Sequence, residues 1–227
     1  MELTNDQTQK YLILLIQLIL INIILCNTVF AEENKDIYIL FEIGGSYSQE
    51  IDGNFKNDID ESIAFGTGIG YRFNNKIRSD IICSYRPYFN DPYSAALKGD
   101  IKIFTLIGNI YWDIFEFGRL KPYIGSGIGM SYNKTDAVYS ENGTYSELGI
   151  IIDGESKTNF SYQLIAGSYV TITTKINMNI CYRYLDAGDL EYGTEGQLMG
   201  KLFHFFEDKP KGDVKLNEIF IGLSYFF

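Results

Sequence analysis

Residues Asn217 to Phe227 read N-E-I-F-I-G-L-S-Y-F-F, with Ile219, Ile221, Leu223, Tyr225 and Phe227 on one phase of a two-residue repeat. Alternation of that period is what a strand with a single apolar face requires. One such strand constrains little, but seven further segments repeat it. Ile37 to Tyr47 sets Ile37, Ile39, Phe41 and Ile43 against Glu42, Gly44 and Ser46. Glu61 to Phe73 sets Ile63, Phe65, Ile69, Tyr71 and Phe73 against Ser62, Ala64, Gly66, Gly68, Gly70 and Arg72. Lys76 to Tyr88 and Gly99 to Phe115 carry the pattern with more noise, and Lys121 to Tyr132, Phe160 to Val170 and Lys175 to Leu185 return to it. Each segment is long enough for the roughly 9 to 11 residues of a tilted membrane strand.

The N-terminus points to export. Tyr11 to Leu25 is apolar except for Gln17 and Asn22, and Val29-Phe30-Ala31 offers small residues where a signal peptidase cuts, so residues 1–31 are expected to be a cleaved secretory leader. A retained single-pass anchor is the alternative, because Glu2, Asp6 and Lys10 give the preceding stretch little positive character. Cys26 does not mark a lipoprotein, since Leu25 stands where that signal wants a small residue. No second apolar run of about 18 residues follows, so residues 32–227 can span a bilayer only as strands. With 18 Tyr, 16 Phe and 22 Gly but 4 Pro, the composition suits a sheet with aromatic girdles, and a net charge of −10 excludes a nucleic-acid surface.

Eight alternating segments predict an all-β fold, an eight-stranded antiparallel up-and-down transmembrane β-barrel. A soluble carrier barrel would need an apolar interior and a solvated exterior. Here one face is bulky and apolar while the other is Gly, Ser, Asn, Arg and Glu, and an eight-strand lumen is just wide enough for side chains to fill. The apolar face is therefore assigned to lipid, where an Arg near the midplane would cost about 2–4 kcal/mol. Links after the second, fourth and sixth segments are short. Those at about 48–60, 89–98, 133–156 and 187–212 are long and read as external loops, leaving both chain ends in the periplasm.

The glycine-alternating strands Phe65 to Phe73 and Lys121 to Tyr132, with the ending Ile219 to Phe227, resemble the small outer-membrane barrels of the OmpA and opacity-protein type, a group that includes bacterial surface antigens. The resemblance covers the mature chain and implies an outer-membrane location. It implies that Tyr225 and Phe227 form a terminal assembly signal read by the barrel-insertion machinery. It implies no cofactor. Full-length OmpA continues into a peptidoglycan-binding domain, whereas this sequence stops at the barrel.

Chemistry is sparse. Barrels of this size that deacylate lipid A use a His and a Ser close together on a strand, but the single histidine, His204, lies in the fourth loop without such a Ser, so an enzyme is not expected and no metal site is either. Cys83 and Cys181 fall on opposite phases of non-neighbouring strands and are not expected to pair. The inward phase collects Glu42, Asp80, Asp113 and Glu218 with Arg72, Arg78, Arg86 and Arg183. Four acids facing four arginines in a narrow interior are expected to pair, either as a plug or as the gate of a low-conductance pore. The long loops hold most of the negative charge. In the fourth, Leu202, Phe203, His204, Phe205 and Phe206 form an apolar cluster that either packs on the rim or meets a partner. These features predict a surface antigen and adhesin embedded in outer-membrane lipid, with a host-cell or matrix protein as its partner. A small-solute pore and a purely structural barrel are the alternatives.

Overall fold

The structure is a computed structural model describing residues 36–48, 61–88, 97–98, 100–140, 151–198, 201–204 and 206–227. The leader expected at residues 1–31 lies outside the described residues. Eight long strands form the body: β1 (Ile37–Ser48), β2 (Ser62–Arg72), β3 (Ile77–Tyr88), β4 (Ile101–Asp113), β5 (Leu120–Thr135), β6 (Ser156–Thr171), β7 (Ile176–Leu198) and β8 (Lys211–Phe226). Each pairs antiparallel with the next in sequence, and β8 closes the ring on β1 through registers such as Ile39 to Tyr225. Closure gives every backbone group along the wall a partner, the condition for crossing hydrocarbon with strands.

One end of the ring is made of tight turns. After β2 the Asn74 carboxamide oxygen accepts hydrogen bonds from the Lys76 and Ile77 amides at 2.8 and 2.9 Å, and after β6 the Thr173 hydroxyl accepts from Lys175 and Ile176 at 3.2 and 3.0 Å. Both use a short polar side chain to imitate a backbone turn. Between β4 and β5 Phe117 and Leu120 bond each other's backbones across Gly118, whose φ of 62° suits glycine.

The outer wall is apolar around the ring. Ile128 is 64% exposed and Ile110 56%, with Ile63, Ile81, Leu164, Ile180 and Ile221 likewise outward. Water would not tolerate so continuous an apolar band. Aromatic rings bound it on both sides: Tyr71 and Phe73 meet edge to face at 5.1 Å at the turn end, and Tyr85 stacks on Phe104 at 4.4 Å towards the loop end. Bands flanked by such girdles match a bilayer and its two interfaces.

At the loop end the sequence expectation is corrected. The stretches 133–156 and 187–212 are not simply loops: β5 continues to Thr135, β6 begins at Ser156, β7 continues to Leu198 and β8 begins at Lys211. Short strands Leu97–Lys98, Val138–Ser140, Ile151–Gly154 and Lys201–His204 join the outer part of β7 in a second small sheet. The cause is a bulge. Asp186 pairs with Lys215 and Asp189 with Asp213, so β7 carries one residue more than β8, and Gly188 takes it up at φ 68°. That residue shifts the phase and turns Leu190 and Tyr192 inward.

The interior is layered rather than uniformly polar. Towards the loop end Tyr88, Ile101, Ile103, Leu190, Tyr192 and Leu216 belong to one fully buried apolar cluster. Below it the lumen carries the charged groups, and glycines on β2 and β5 make room for them. A Cβ on Gly66 would come within 2.6 Å of the Glu42 carboxylate, and one on Gly125 within 2.5 Å of the Tyr111 ring.

Candidate functional site

All eight charged residues assigned to the interior lie on the lumen side of the wall, and they sort by height. Nearest the apolar layer, Glu218 accepts from Arg86 Nε at 2.6 Å and Nη2 at 2.9 Å and from the Ser46 hydroxyl at 2.7 Å. Arg86 also donates to Thr105 at 3.1 Å, and both charged side chains are 0% exposed. One level down Arg183 meets Glu42 at 2.9 Å, its guanidinium 4.3 Å from the Phe220 ring centre. Arg78 reaches Asp113 at 3.4 Å and stacks between Tyr111 and Tyr123 at 3.9 and 4.4 Å.

Full pairing, however, does not occur. Among the described residues Asp80 has no arginine within ion-pair reach. Tyr38, Tyr111 and Asn109 donate to its carboxylate at 3.0, 3.1 and 2.8 Å instead. Arg72 lies directly opposite Arg78 in register and covers the Phe226 ring at 4.2 Å. Register explains the mismatch: Asp80 pairs with Gly70 on β2, one inward step nearer the loop end than Arg72.

Four lumen tyrosines that sequence reasoning passed over, Tyr38, Tyr111, Tyr123 and Tyr169, hold this network together. Tyr169 donates to Asp113 at 2.8 Å. Their signal was available, since Tyr111 shares a phase with Asn109 and Asp113, and Tyr123 with Gly125. The lower lumen keeps a cavity of about 20 Å³, room for about one water. Nothing in the described lumen amounts to a continuous wet passage.

A second constellation ties down the outer part of β7. Ser131 donates to the Ala187 carbonyl at 2.5 Å, Asn133 to the Ala187 and Asp189 carbonyls at 2.9 and 2.8 Å, and Asn159 to Asp189 at 2.8 Å. Thr135 donates to the Glu191 carbonyl at 3.1 Å. These donors sit on β5 and β6, so β7 is drawn across the mouth over the apolar layer. Beside it Lys157 bridges Asp189 at 2.5 Å and Glu191 at 2.6 Å, which raises the lysine's pKa and lowers that of Asp189. Asp213, opposite Asp189 in register and hydrogen-bonded to it, is pushed up.

The apolar cluster expected in the fourth loop is divided. Lys201–His204 pairs with Glu195 to Leu198 of β7; Leu202 is 80% exposed, and His204 is exposed opposite Glu195. Phe206 instead packs against the buried apolar layer. Phe205 and the Phe203 side chain lie outside the described residues. The solvent face of the small sheet also carries Ile151, in register with Gln197, which in turn faces Leu202. At the turn end the terminal aromatics Tyr225 and Phe227 meet edge to face at 5.5 Å. Cys83 is exposed on the wall and Cys181 buried, both unpaired.

A closed antiparallel ring with an apolar, aromatic-bounded wall and a charged interior defines a transmembrane β-barrel of the bacterial outer membrane. The chain belongs to the outer membrane protein beta-barrel domain family, whose model matches residues 24–227. An uncharacterised protein of Brucella abortus is 30% identical over 156 residues, 59% of this chain and 55% of the relative. A Rickettsia rickettsii protein whose name proposes it as an adhesin is 25% identical over 158 residues, 69% of this chain and 62% of that one. The chain thus spans little more than half the length of these relatives. Among solved structures, Neisserial surface protein A superposes with a TM-score of 0.54 at 15% identity, over 84% of this chain and 97% of that one.

Proposed function

We propose that this barrel is a surface adhesin and antigen whose loop end faces the exterior and whose small outer sheet is the contact platform. The observation that carries the reading is Leu202, 80% exposed on a sheet fastened by side-chain donors above a filled lumen. Ile151 and Leu202 flank Gln197 in one cross-strand row of exposed side chains, and the exposed Asp153, Glu195 and His204 border that row. Such a row suits a host-cell or matrix protein surface with apolar, polar and basic groups, with acidic residues steering the approach. The adhesin-named Rickettsia relative supports this class of function. A pore is less well supported, because it needs a water-filled lumen. Tyr225 and Phe227, at the turn end, are proposed to serve assembly.

The test replaces Ile151 and Leu202 by Asp together. Both side chains point to solvent, so heat-modifiable gel mobility, the sign of a folded barrel, should be unchanged. Adhesion of expressing cells to host cells or matrix, measured per folded molecule, should fall at least about tenfold if the two apolar side chains are desolvated on binding. Unchanged adhesion would reject the platform. The same protein in planar bilayers should show no steady conductance.

A further inference from the structure

The outer wall across β3 to β6 is not evenly filled. On its outward phase Ser126 stands in register between Ile110 and Leu164. The missing bulk leaves a groove of about 650 Å³ lined by Ile77, Ile110, Trp112, Ile124, Ser126 and Leu164. A second groove of about 470 Å³ adjoins it at Ile110 and Ser126 and runs to Gly108, where the nearest atom to an added Cβ is the Ile128 carbonyl oxygen at 3.9 Å. These volumes fall within the roughly 300–1,000 Å³ of small-ligand sites. An apolar lining that opens onto hydrocarbon suits an acyl chain.

The turn-end mouth of the groove is basic, against the trend of a chain whose net charge is −10. Ile77 is in register with Trp112 and Trp112 with Ile124, and the residue before Ile77 is the exposed Lys76, held to β4 by the Asp113 amide at 2.8 Å. On the other side the exposed Arg119 is held to β6 by the Thr171 amide at 3.1 Å. Glu116, the acid of this sector's turns, is paired with Lys121 at 3.0 Å, so Lys76 and Arg119 have no carboxylate partner among the described residues. Asp36 and the terminal carboxylate belong to β1 and β8, outside the sector. Between the two cations the β4–β5 turn exposes Phe115 at 59% and Phe117 at 76%. Aromatic and basic groups side by side fit the headgroup level of a bilayer. Two strand spacings, about 10 Å, separate β3 from β5, a gap that two long cationic side chains close on one headgroup.

We infer that the β3–β6 groove binds an anionic phospholipid, with an acyl chain in the groove and its phosphate accepting from Lys76 and Arg119. A second copy of the barrel is the competing occupant. Two copies in one membrane share an orientation, so a twofold contact here would bring Lys76 and Arg119 against the same cations of the neighbour. A phosphate answers those charges instead. The choice of a phospholipid over a phosphorylated glycolipid rests on the loop end facing the exterior; binding in a symmetric bilayer does not, so the two can fail separately.

Trp112, the single tryptophan, lines the groove and is the probe. The refolded full chain is reconstituted in phosphatidylcholine bilayers containing either phosphatidylglycerol or phosphatidylcholine with brominated acyl chains, and quenching of Trp112 fluorescence is compared at equal mole fractions. Phosphatidylglycerol is expected to bind beside Trp112 about fivefold or more tightly than phosphatidylcholine. The preference should fall to parity in Lys76→Gln with Arg119→Gln, two exposed positions whose replacement leaves heat-modifiable mobility unchanged, and should weaken at high salt. Lys175→Gln, at the β6–β7 turn outside the groove, should keep it. In detergent, native mass spectrometry should find phosphatidylglycerol retained by the wild type and lost from Ser126→Leu, which fills the groove and keeps both cations. Equal quenching by the two lipids in the wild type would overturn the site. So would a loss of preference in Lys175→Gln as large as in the double variant, or full lipid retention by Ser126→Leu. Quenching that is weak with either lipid and grows as protein is diluted into lipid would show a second copy in the groove and reject the phospholipid.

Discussion

Glu218→Gln tests whether the lumen is a dry plug. The carboxylate accepts three hydrogen bonds, two from Arg86 and one from Ser46, and neither member of the ion pair is exposed. The substitution keeps the shape and removes the charge, so Arg86 is left as a buried cation with Thr105 as its remaining partner. Uncompensated buried charge costs about 3–5 kcal/mol. A pair reached by water would lose at most about 1 kcal/mol. Unfolding by urea in lipid or detergent separates these values. Trp112, the single tryptophan, sits on the outer wall away from the pair and reports unfolding without being altered. Arg86→Met with Glu218→Leu removes both charges and should recover most of the loss, giving a coupling energy of about 2 kcal/mol or more in the double-mutant cycle. A loss below about 1 kcal/mol for Glu218→Gln, accompanied by steady single-channel current, would refute the dry lumen and revive the pore.

Glycine position separates lumen from lipid. Gly66→Val should cost about 1–3 kcal/mol by overpacking against Glu42, whereas Gly108→Val should assemble normally, since the nearest atom to an added Cβ there is the Ile128 carbonyl oxygen at 3.9 Å; urea midpoints of the two variants decide it. The outer sheet should respond to pH in two opposed phases. Asp213 has a raised pKa, so its contribution is favourable below the usual carboxylate pKa near 3.9 and is lost as pH rises through its folded value; Asp189 is lowered, so its contribution holds above about 3.9 and disappears as pH falls through its folded value. Acidification from neutrality should therefore first protect the outer part of β7 from proteolysis, as Asp213 takes up its proton, and then, as pH falls through the lowered pKa of Asp189, expose it. Asp213→Asn should abolish the first phase and leave the second.

The ring was legible because lipid enforces one rule on the outward phase of every strand, whatever lies within. β7 beyond Leu185 was not: the run Asp186-Ala187-Gly188-Asp189 has the composition of a loop, and the bulge at Gly188 breaks the phase that would have marked Leu190 and Tyr192 as a pair. The noise in β4 was itself structure, since Ile101, Ile103 and Ile107 share the inward phase with Thr105 and Asn109 and supply the apolar layer. Inward charges could be read from phase, but partners depend on axial height as well. That is why Asp80 meets tyrosines and Arg72 meets Phe226. The lumen tyrosines were overlooked because aromatics in such a chain are first credited to the girdles.

The hydroxyl and carboxamide donors that fasten the outer part of β7 all address main-chain carbonyls, those of Ala187, Asp189 and Glu191, while Lys157 alone reaches side-chain carboxylates. A carbonyl is the same in all residues. Substitutions along the exposed side of this segment therefore leave the backbone bonds intact and cost at most the Lys157 ion pairs, as long as glycine keeps the bulge and the inward residues stay apolar. The barrel thereby separates what must stay constant from what can change, carrying the permanent half of its clasp on β5 and β6 and leaving the outer half free to vary without refolding the wall beneath.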